Sequence, residues 1–320
     1  MNDPILVIQD LHKSFGETHA VRGVSFQVAR GEVFGLLGPN GAGKTTTISM
    51  ITGLLEPASG GITVDGLDLQ TDTNAVKARL GLVPQELALY PTLSARDNLD
   101  FFGRIYGLGG KHLRERVDAM LEMVGLTERA DEAIETYSGG MKRRGNIAAG
   151  LLHQPQVLFL DEPTTGVDPQ SRNAIFEGVE ALNRAGVTVI YTTHYMEEAQ
   201  RLCHRVAIID EGQIIALDTP TALIRSLGGG ILVLGLEDPE SGPGLGRVQT
   251  VVDKVAELPA VKSTTRNDGH LKIETHRFQE ALMGILDITN QMDVRITSME
   301  KWEPNLESVF LHLTGKKLRE

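Results

Sequence analysis

The chain has 320 residues, of which 41% are hydrophobic and 23% are charged, and this length predicts two globular domains. The formal net charge of -11 argues against a nucleic-acid partner held by general attraction to phosphate. Because Cys203 is the single cysteine, no intramolecular disulfide can form, which fits a reducing cytoplasm. The N-terminus MNDPILVIQD does not resemble a signal peptide, and no apolar run approaches about 18 residues, so we expect any membrane role to require a partner.

Short apolar runs alternate with helical periodicity over the first two-thirds of the chain. The predicted strands cover residues 5–11, 24–28, 32–38, 61–66, 80–85, 157–161, 187–193, 205–210 and 211–218. The predicted helices cover residues 45–55, 94–107, 112–124, 141–152, 169–184 and 195–203. Alternating strands and helices predict an α/β fold with a mostly parallel sheet covered by helices, and the last strand is expected to close a hairpin.

This alternation changes after LGGG at residues 227–230, which is either a turn or a domain boundary. We favour a boundary, with a first domain over 1–227 and a small α+β domain over 231–320. Its predicted elements are strand 231–236, helix 249–257, strands near 260–265 and 270–275, helix 277–290, strand 293–299 and helix 305–314.

The stretch GPNGAGKTT (38–46) lies between a predicted strand and a predicted helix and matches the phosphate-loop pattern G-x-x-x-x-G-K-[ST]. Glycines at these positions allow backbone N–H groups to turn inward around phosphate. Lys44 is expected to bridge the β and γ phosphates, Thr45 to ligate Mg²⁺ and Thr46 to donate to the α-phosphate. The candidate nucleotide-binding residues of this loop are Gly38, Pro39, Asn40, Gly41, Ala42, Gly43, Lys44, Thr45 and Thr46. The pattern predicts a P-loop NTPase.

Polar side chains end three other predicted strands, and ligands of open parallel sheets bind at the carboxyl ends of the strands. Asp161 is expected in the Mg²⁺ shell, and Glu162 is expected to orient or deprotonate the attacking water. His194 is expected to contact the γ-phosphate, and the Gln85 amide to ligate Mg²⁺ or the water. The alternatives are a solvated strand end for the two acids and a structural role for the histidine.

Residues 137–146 read YSGGMKRRGN and form a second candidate anion site. Ser138 can cap the helix that follows, and Gly139 and Gly140 would let a ligand approach its N-terminus. No catalytic carboxylate lies beside this stretch in the sequence, so its purpose is not explained by the stretch itself.

Together these stretches resemble the ATP-binding subunits of ABC transporters, in six motifs over residues 5–225. The motifs are GPNGAGKTT, the Q-loop glutamine Gln85, the signature YSGGM, the Walker B stretch VLFLDE, the D-loop TGVDP with Asp168, and the switch histidine His194. The resemblance implies N-terminal antiparallel strands and a helical subdomain at about 86–155. It also assigns Phe15 as the aromatic residue that stacks on adenine, with core packing as the alternative.

The resemblance further implies a homodimer, or a heterodimer with a related ATPase, arranged head to tail around two ATP and Mg²⁺. Each ATP would lie between Lys44, Asp161 and Glu162 of one copy and Ser138–Gly140 of the other, with Asp168 at the seam. The helical subdomain would receive an integral-membrane permease on the inner face of the cell membrane.

The tail MEKWEPNLESVFLHLTG (299–315) resembles the end of the accessory domain in ATPases of ABC-2 type exporters of the daunorubicin-exporter kind. We therefore expect an ATP-hydrolysing subunit that powers export of a drug, lipid or similar solute. The alternatives are the ATPase of an ABC importer, which would usually carry a β-barrel extension, and a non-transport ABC ATPase.

Three residues after the signature are not explained by the resemblance. Arg143 and Arg144 could form a solvated face, or one of them could steer nucleotide or pair with an acid across an interface. Gly145 stands where relatives usually carry an apolar residue, and it costs about 1 kcal/mol of helix propensity against alanine.

Overall fold

The structure is a computed structural model that describes residues 3–227, 229–237, 246–267, 270–302 and 304–315. Two compact units divide the chain, one ending at Pro220 and the other beginning at Thr221. Within the described ranges, no helix combines the length and the apolar character needed to cross a membrane.

The first unit contains ten strands and seven α-helices among its described residues. Its strands are β1 Pro4–Phe15, β2 Thr18–Ala29, β3 Val33–Leu37, β4 Ser59–Val64, β5 Leu67–Asp68, β6 Leu80–Val83, β7 Val157–Asp161, β8 Thr188–Thr193, β9 Arg205–Asp210 and β10 Gln213–Asp218. Its helices are α1 Lys44–Ile51, α2 Thr73–Lys77, α3 Ala95–Ile105, α4 Gly110–Met123, α5 Gly139–Leu151, α6 Pro169–Arg184 and α7 Met196–Leu202. A further helix, α8 Pro220–Ser226, lies at the division between the units.

A six-stranded sheet of order β10-β9-β3-β8-β7-β6 forms the centre of the first unit. All its pairings are parallel except the β9–β10 hairpin, as predicted. Strands β3, β7 and β8 are buried at every position, which explains why β3 and most of β7 are apolar, while the threonine and tyrosine hydroxyls of β8 find buried hydrogen-bond partners. The carboxyl ends of β3, β6, β7 and β8 therefore meet at one edge of the sheet.

The N-terminal strands form a separate antiparallel sheet of order β2-β1-β4-β5, which confirms the antiparallel strands implied by the resemblance. Its apolar side chains share one buried core with the central sheet, and the Phe26 and Phe34 rings stack at 5.0 Å across that core. Helix α1 ends at Ile51, not at Leu55 as predicted, because Gly53 adopts the left-handed φ of +67° that commonly terminates helices.

The segment between β6 and β7 is helical, and α3 and α4 both pack against α5. Two arginines join these helices by donating to carbonyl groups at helix ends. Arg144 of α5 donates to the Val124 carbonyl at 2.6 Å, at the end of α4. Arg116 of α4 donates to the Leu151 carbonyl at 3.0 Å, at the end of α5. Each cation thus satisfies terminal carbonyls of the partner helix.

The second unit is a small α+β fold with the predicted elements. They are β11 Ile231–Glu237, α9 Gly246–Ala256, β12 Val261–Asn267, β13 His270–Thr275, α10 Phe278–Gln291, β14 Arg295–Trp302 and α11 Leu306–Thr314. The sheet has order β12-β13-β11-β14 with antiparallel pairings, and α9 and α10 contribute to its core. This is the split βαβ arrangement. Apolar and polar residues alternate along β13, whereas β11 is apolar almost throughout and alternates only in the burial of its first residues.

Candidate functional site

The phosphate-loop stretch connects β3 to α1 at the edge where the parallel strands end. Gly41 and Gly43 adopt φ of +81° and +103°, conformations that glycine reaches without steric cost. A Cβ at Gly43 would lie 2.5 Å from the Ala20 carbonyl oxygen, and one at Gly38 would overlap the Ile209 carbonyl. Glycine is therefore required at these positions by backbone packing as well as by the loop conformation.

The loop is supported from behind by the turn between β9 and β10. The Gly212 N–H donates to the Ala42 carbonyl at 3.0 Å, and the Gly212 carbonyl accepts from the Arg22 N–H at 2.8 Å. A Cβ at Gly212 would lie 2.7 Å from the Ala20 carbonyl oxygen, so this turn needs glycine too. Backbone contacts with β2 and β10 thus hold the loop in shape.

Lys44 is the first residue of α1 and is buried, with 4% of its surface exposed. Its Nζ donates to the Gly38 and Pro39 carbonyls at 2.8 and 3.1 Å. It also pairs with Glu162 Oε1 at 3.0 Å. Thr45, the next residue, is exposed at the start of the helix. The ammonium group therefore joins the phosphate loop to the end of β7.

Glu162 lies directly after β7 with a left-handed φ of +45°. Its Oε2 contacts His194 Nδ1 at 3.1 Å and accepts from the Thr165 hydroxyl at 3.2 Å. Burial alone would raise the pKa of Glu162, but the charge and hydrogen bond of Lys44, with His194 and Thr165, hold it below its ordinary value. The carboxylate is thus ionised between two cationic or hydrogen-bonding partners.

Thr192 connects the two acids, and sequence reasoning missed it. Its hydroxyl donates to Asp161 Oδ1 at 2.6 Å and accepts from the Glu162 N–H at 2.9 Å. Asp161 is buried at the end of β7. A threonine inside an apolar strand reads as an ordinary β-branched residue, so no sequence signal distinguishes this one.

Glu198 of α7 is a further buried carboxylate, and the sequence did not indicate it. It accepts hydrogen bonds from the hydroxyls of Thr164, Tyr191 and Thr193 at 2.7, 3.0 and 2.9 Å. Arg172 approaches it to 3.7 Å. Because Thr164 follows β7 and Thr193 ends β8, this carboxylate links the segments that carry Glu162 and His194.

Two of the predicted site residues are exposed and lie outside the buried cluster of Lys44, Asp161 and Glu162. Gln85 is exposed beyond the end of β6. Phe15 ends β1 with 52% of its surface exposed, and Lys13 Nζ lies 5.8 Å from its ring centroid. Phe15 is therefore not a core residue, and its ring can be reached by a planar ligand.

The signature stretch forms the N-terminus of α5. Ser138 is the N-cap and accepts from the Met141 N–H at 3.3 Å, while Ser138 and Gly139 are exposed. Gly140 is buried, and a Cβ there would overlap the Ser171 side chain. Asp168 caps α6 by accepting from the Ser171 N–H at 3.0 Å. The signature thus packs against the D-loop of its own chain.

The three unexplained residues of α5 contact the same chain. Arg143 donates to the Pro84 and Gln85 carbonyls at 2.9 and 2.7 Å. Arg144 donates to the end of α4, so neither arginine forms the solvated face that was one alternative. A Cβ at Gly145 would lie 3.2 Å from Leu89 Cδ1, so the glycine allows close packing there.

Comparisons with known proteins agree with this geometry. A family model described as ABC transporter matches residues 21–165. The linearmycin resistance ATP-binding protein LnrL of Bacillus subtilis is 46% identical over 99% of this chain and 100% of the relative. The daunorubicin resistance ATP-binding protein DrrA2 of Streptomyces coeruleorubidus is 40% identical over 96% and 94%. The Nod factor export ATP-binding protein I of Paraburkholderia xenovorans is 39% identical over 100% of both chains.

Solved structures are similar to about two-thirds of the chain. CbiO1 from Clostridium perfringens, part of the ABC transporter complex cbiONQ, has a TM-score of 0.64 and 30% identity, covering 71% of this chain and 95% of that one. A dimeric ATP-binding cassette in a post-hydrolysis state with ADP and Pi has a TM-score of 0.61 and 25% identity, covering 67% and 98%.

The fold and the site define a P-loop ATPase that binds ATP. The chain belongs to the ABC transporter family, and its full-length relatives place it among the ATP-binding subunits of exporters. The predicted family, fold class and exporter function are confirmed, and the importer and non-transport alternatives are not favoured. ATPases of this family act as dimers with membrane permeases.

Proposed function

We propose that this chain hydrolyses Mg²⁺-ATP in sites shared by two copies arranged head to tail, and that turnover drives export of a drug, lipid or similar solute through a permease. The observation that carries this proposal is the cluster beside the phosphate loop, in which the buried Lys44 and Glu162 meet the partly exposed His194. The names of the full-length relatives, which include two drug-resistance proteins and a Nod factor exporter, support a drug, lipid or similar solute.

ATP is bound by the phosphate loop in this proposal. The contributing residues are Gly38, Pro39, Asn40, Gly41, Ala42, Gly43, Lys44, Thr45 and Thr46. Gly41 and Gly43 already adopt positive φ angles, and Gly212 supports the loop from behind. The loop therefore loses little further conformational entropy when ATP binds. Phe15 stacks on the adenine ring through its exposed face, which contributes about 1 kcal/mol.

The oxygen donors near the loop suit Mg²⁺. They are the exposed Thr45 hydroxyl and the buried Asp161 carboxylate, whose orientation the Thr192 hydroxyl fixes. The Gln85 amide, which lies farther out, is proposed to join them when nucleotide is bound. The described residues contain no cluster of three or more His, Cys, Asp or Glu side chains suited to a metal. Mg²⁺ in nucleotide sites is commonly held by one or two carboxylates plus the phosphates. When bound, the ion would neutralise charge that develops on the phosphates.

Glu162 is the group that handles the attacking water. The water oxygen forms a bond to the γ-phosphorus as the bond to the β–γ bridging oxygen breaks, which leaves ADP and phosphate. Glu162 orients this water and accepts its proton, while His194 holds the carboxylate through Oε2. Because the ATP phosphates compete with Glu162 for Lys44, substrate binding frees the carboxylate and raises its pKa toward the range of a useful base.

The head-to-tail arrangement explains why no catalytic carboxylate lies beside the signature in the sequence. Ser138 and Gly139 are exposed at a helix N-terminus, which favours a phosphate anion. The second copy supplies Lys44, Asp161 and Glu162 to that anion. Asp168 lies beside the signature through Ser171, which fits a position at the seam.

Mixing two inactive chains tests the shared site. A heterodimer of Ser138→Arg and Lys44→Ala chains keeps one intact composite site, whereas each homodimer has none. We expect the mixture to regain part of the ATPase activity under conditions where wild-type dimers form. The control mixes either variant with a chain that carries both changes, which leaves no intact site. The head-to-tail proposal is wrong if the mixture of the two single variants has the same low ATPase activity as the control mixture.

The helical subdomain at about 86–155 is the proposed permease-binding part. Tyr90, Phe101 and Phe102 form an aromatic cluster with edge-to-face contacts of 5.1 and 5.5 Å, and Phe101 is 39% exposed. Exposed aromatic clusters are enriched at protein interfaces. Tyr106 instead stacks on His153 at 3.8 Å, which makes it partly an internal residue. Docking here would hold the chain at the inner face of the membrane, with 231–320 as an accessory domain.

A further inference from the structure

Helix α5 contacts the Gln85 loop within two turns of the signature. The Arg143 guanidinium, with 5% of the residue exposed, donates through Nη1 and Nη2 to the successive carbonyls of Pro84 and Gln85. Two N–H groups of one planar group, bound to two neighbouring peptide groups, fix both distance and orientation. The backbone of Gln85 is therefore attached to α5.

The next residues of α5 extend this attachment. Asn146 is buried, and its Oδ1 accepts from the Ala88 N–H at 3.2 Å. Gly145 leaves the space in which Leu89 packs, since a Cβ there would lie 3.2 Å from Leu89 Cδ1. Three positions of one helix thus hold both ends of the segment 84–89.

The same helix begins at the signature. Ser138 caps α5, and Arg143 lies in its second turn. A helical backbone transmits a displacement over so short a distance with little bending, because each turn is closed by hydrogen bonds. If Gln85 moves, α5 moves with it, and the signature at the start of α5 moves by the same displacement.

We propose that Arg143 is a positioning residue that couples Gln85 of one nucleotide site to Ser138–Gly140, which serve the other site. The proposal rests on the proposed function, in which Gln85 acts on the ATP of its own chain and the signature acts on the ATP of the second copy. When Gln85 follows its ligand, α5 shifts and the signature follows. Each chain thereby carries information between the two ATP sites through a buried cation.

The charge of Arg143 is compatible with this role. Burial lowers the pKa of Arg143, and the negative charge of Asp161 opposes that change. A guanidinium remains charged even so, and its hydrogen bonds to Pro84 and Gln85 go to carbonyl oxygens, which are strong acceptors. Lysine cannot make the same two-pronged contact, because its ammonium group is a single point of charge.

A double-mutant cycle in ATP turnover tests the coupling. Arg143→Gln is compared in the wild-type and the Gln85→Ala backgrounds, with kcat and the Mg²⁺ concentration for half-maximal rate as readouts. If Arg143 acts through Gln85, its loss should lower kcat about tenfold in wild type and less than about twofold once Gln85 is gone. ATP affinity without Mg²⁺ should stay unchanged in all four proteins, since Lys44 and its loop are not altered.

Arg144→Gln is the matched control. It removes the neighbouring arginine, which donates to the end of α4 at 2.6 Å and not to the Gln85 loop. Its effect on kcat should be the same in both backgrounds, with a loss of thermal stability. If Arg143→Gln does not fold, Arg143→Lys takes its place in the cycle, because it keeps the charge and one hydrogen bond.

The outcomes separate the two proposals. If Arg143→Gln lowers kcat by the same factor in the wild-type and Gln85→Ala backgrounds, the coupling proposal is wrong, but the role of Gln85 stands. An unchanged kcat and Mg²⁺ dependence in Gln85→Ala alone overturns the role of Gln85 in the proposed function, and the coupling with it. Both proposals are supported if the loss of kcat caused by Arg143→Gln is smaller in the Gln85→Ala background than in wild type, while the loss caused by Arg144→Gln is the same in both.

Discussion

Replacing Glu162 by glutamine should separate ATP binding from ATP hydrolysis. The carboxylate lies 3.0 Å from Lys44 and 3.1 Å from His194, so its two oxygens are already placed by two different elements. Glutamine keeps the length and one acceptor oxygen, but it has no charge and cannot accept the proton of water. A well-placed general base contributes roughly 10²- to 10⁴-fold, which equals about 2.7–5.4 kcal/mol of barrier.

The assay measures steady-state ATP turnover at saturating ATP, together with equilibrium ATP binding and the dimer fraction with ATP and Mg²⁺. We expect kcat to fall by about two to four orders of magnitude. ATP affinity should be retained or increased, because Lys44 no longer has a competing anion. Dimers with bound ATP should accumulate, since hydrolysis no longer removes the ligand that joins the copies.

Glu198→Gln makes the same chemical change at another buried carboxylate, one that accepts three hydroxyl hydrogen bonds. It should cost stability, because an amide nitrogen then faces a hydroxyl donor, and kcat should fall less than about tenfold. Turnover by Glu162→Gln within about threefold of wild type would refute the reasoning, as would losses of similar size in both variants.

Three further outcomes follow from the same contacts. Lys44→Ala should weaken ATP binding by roughly 10- to 100-fold in equilibrium titration, the value of a charged hydrogen bond, and unchanged affinity would remove Lys44 from the site. Burial alone would raise the pKa of Glu162, but Lys44 holds it below its ordinary value, so the ion pair stabilises the fold at neutral pH and is lost as the pH falls through the lowered pKa. The unfolding free energies of wild type and Glu162→Gln should therefore converge at acidic pH, once the pH is below that lowered pKa. Gly145→Leu should lower the unfolding free energy by about 1–3 kcal/mol in urea titrations, because the added side chain meets Leu89; Gly145→Ala should change it less, since about 1 kcal/mol of helix propensity offsets a single close contact. Equal stability of the leucine and alanine variants would contradict this account of Gly145.

The sequence was sufficient for most of the fold because its signals are local. Strands such as β3 and β7 are buried throughout and consist mainly of apolar residues, and the ends of β7 and β8 then place Asp161 and His194 at one edge. The second unit was equally readable from period-two and helical patterns, as in β13 and α10. The short elements β5, α2 and α8 were not predicted, because two to seven residues carry little periodicity.

The remainder of the site depends on contacts between distant segments. Arg143 binds carbonyl groups of residues 84 and 85, and carbonyl groups have no side-chain signature in the sequence. Thr192 and Glu198 lie among residues that suit a strand and a helix, so composition could not single them out. Gly145 had a visible cost in helix propensity and an invisible benefit, the space used by Leu89.

Because Gly212 supports the phosphate loop, the nucleotide site can form only late in synthesis of the chain. The loop is complete in the sequence at Thr46, whereas its backing turn contains Gly212, which leaves the ribosome far later. A nascent or truncated chain that stops before this turn would present every residue of GPNGAGKTT without the backbone contacts that fix Ala42 and Gly43. We expect nucleotide protection against proteolysis to begin only in fragments that extend through β10. ATP would thus bind only chains in which the hairpin of β9 and β10 has closed.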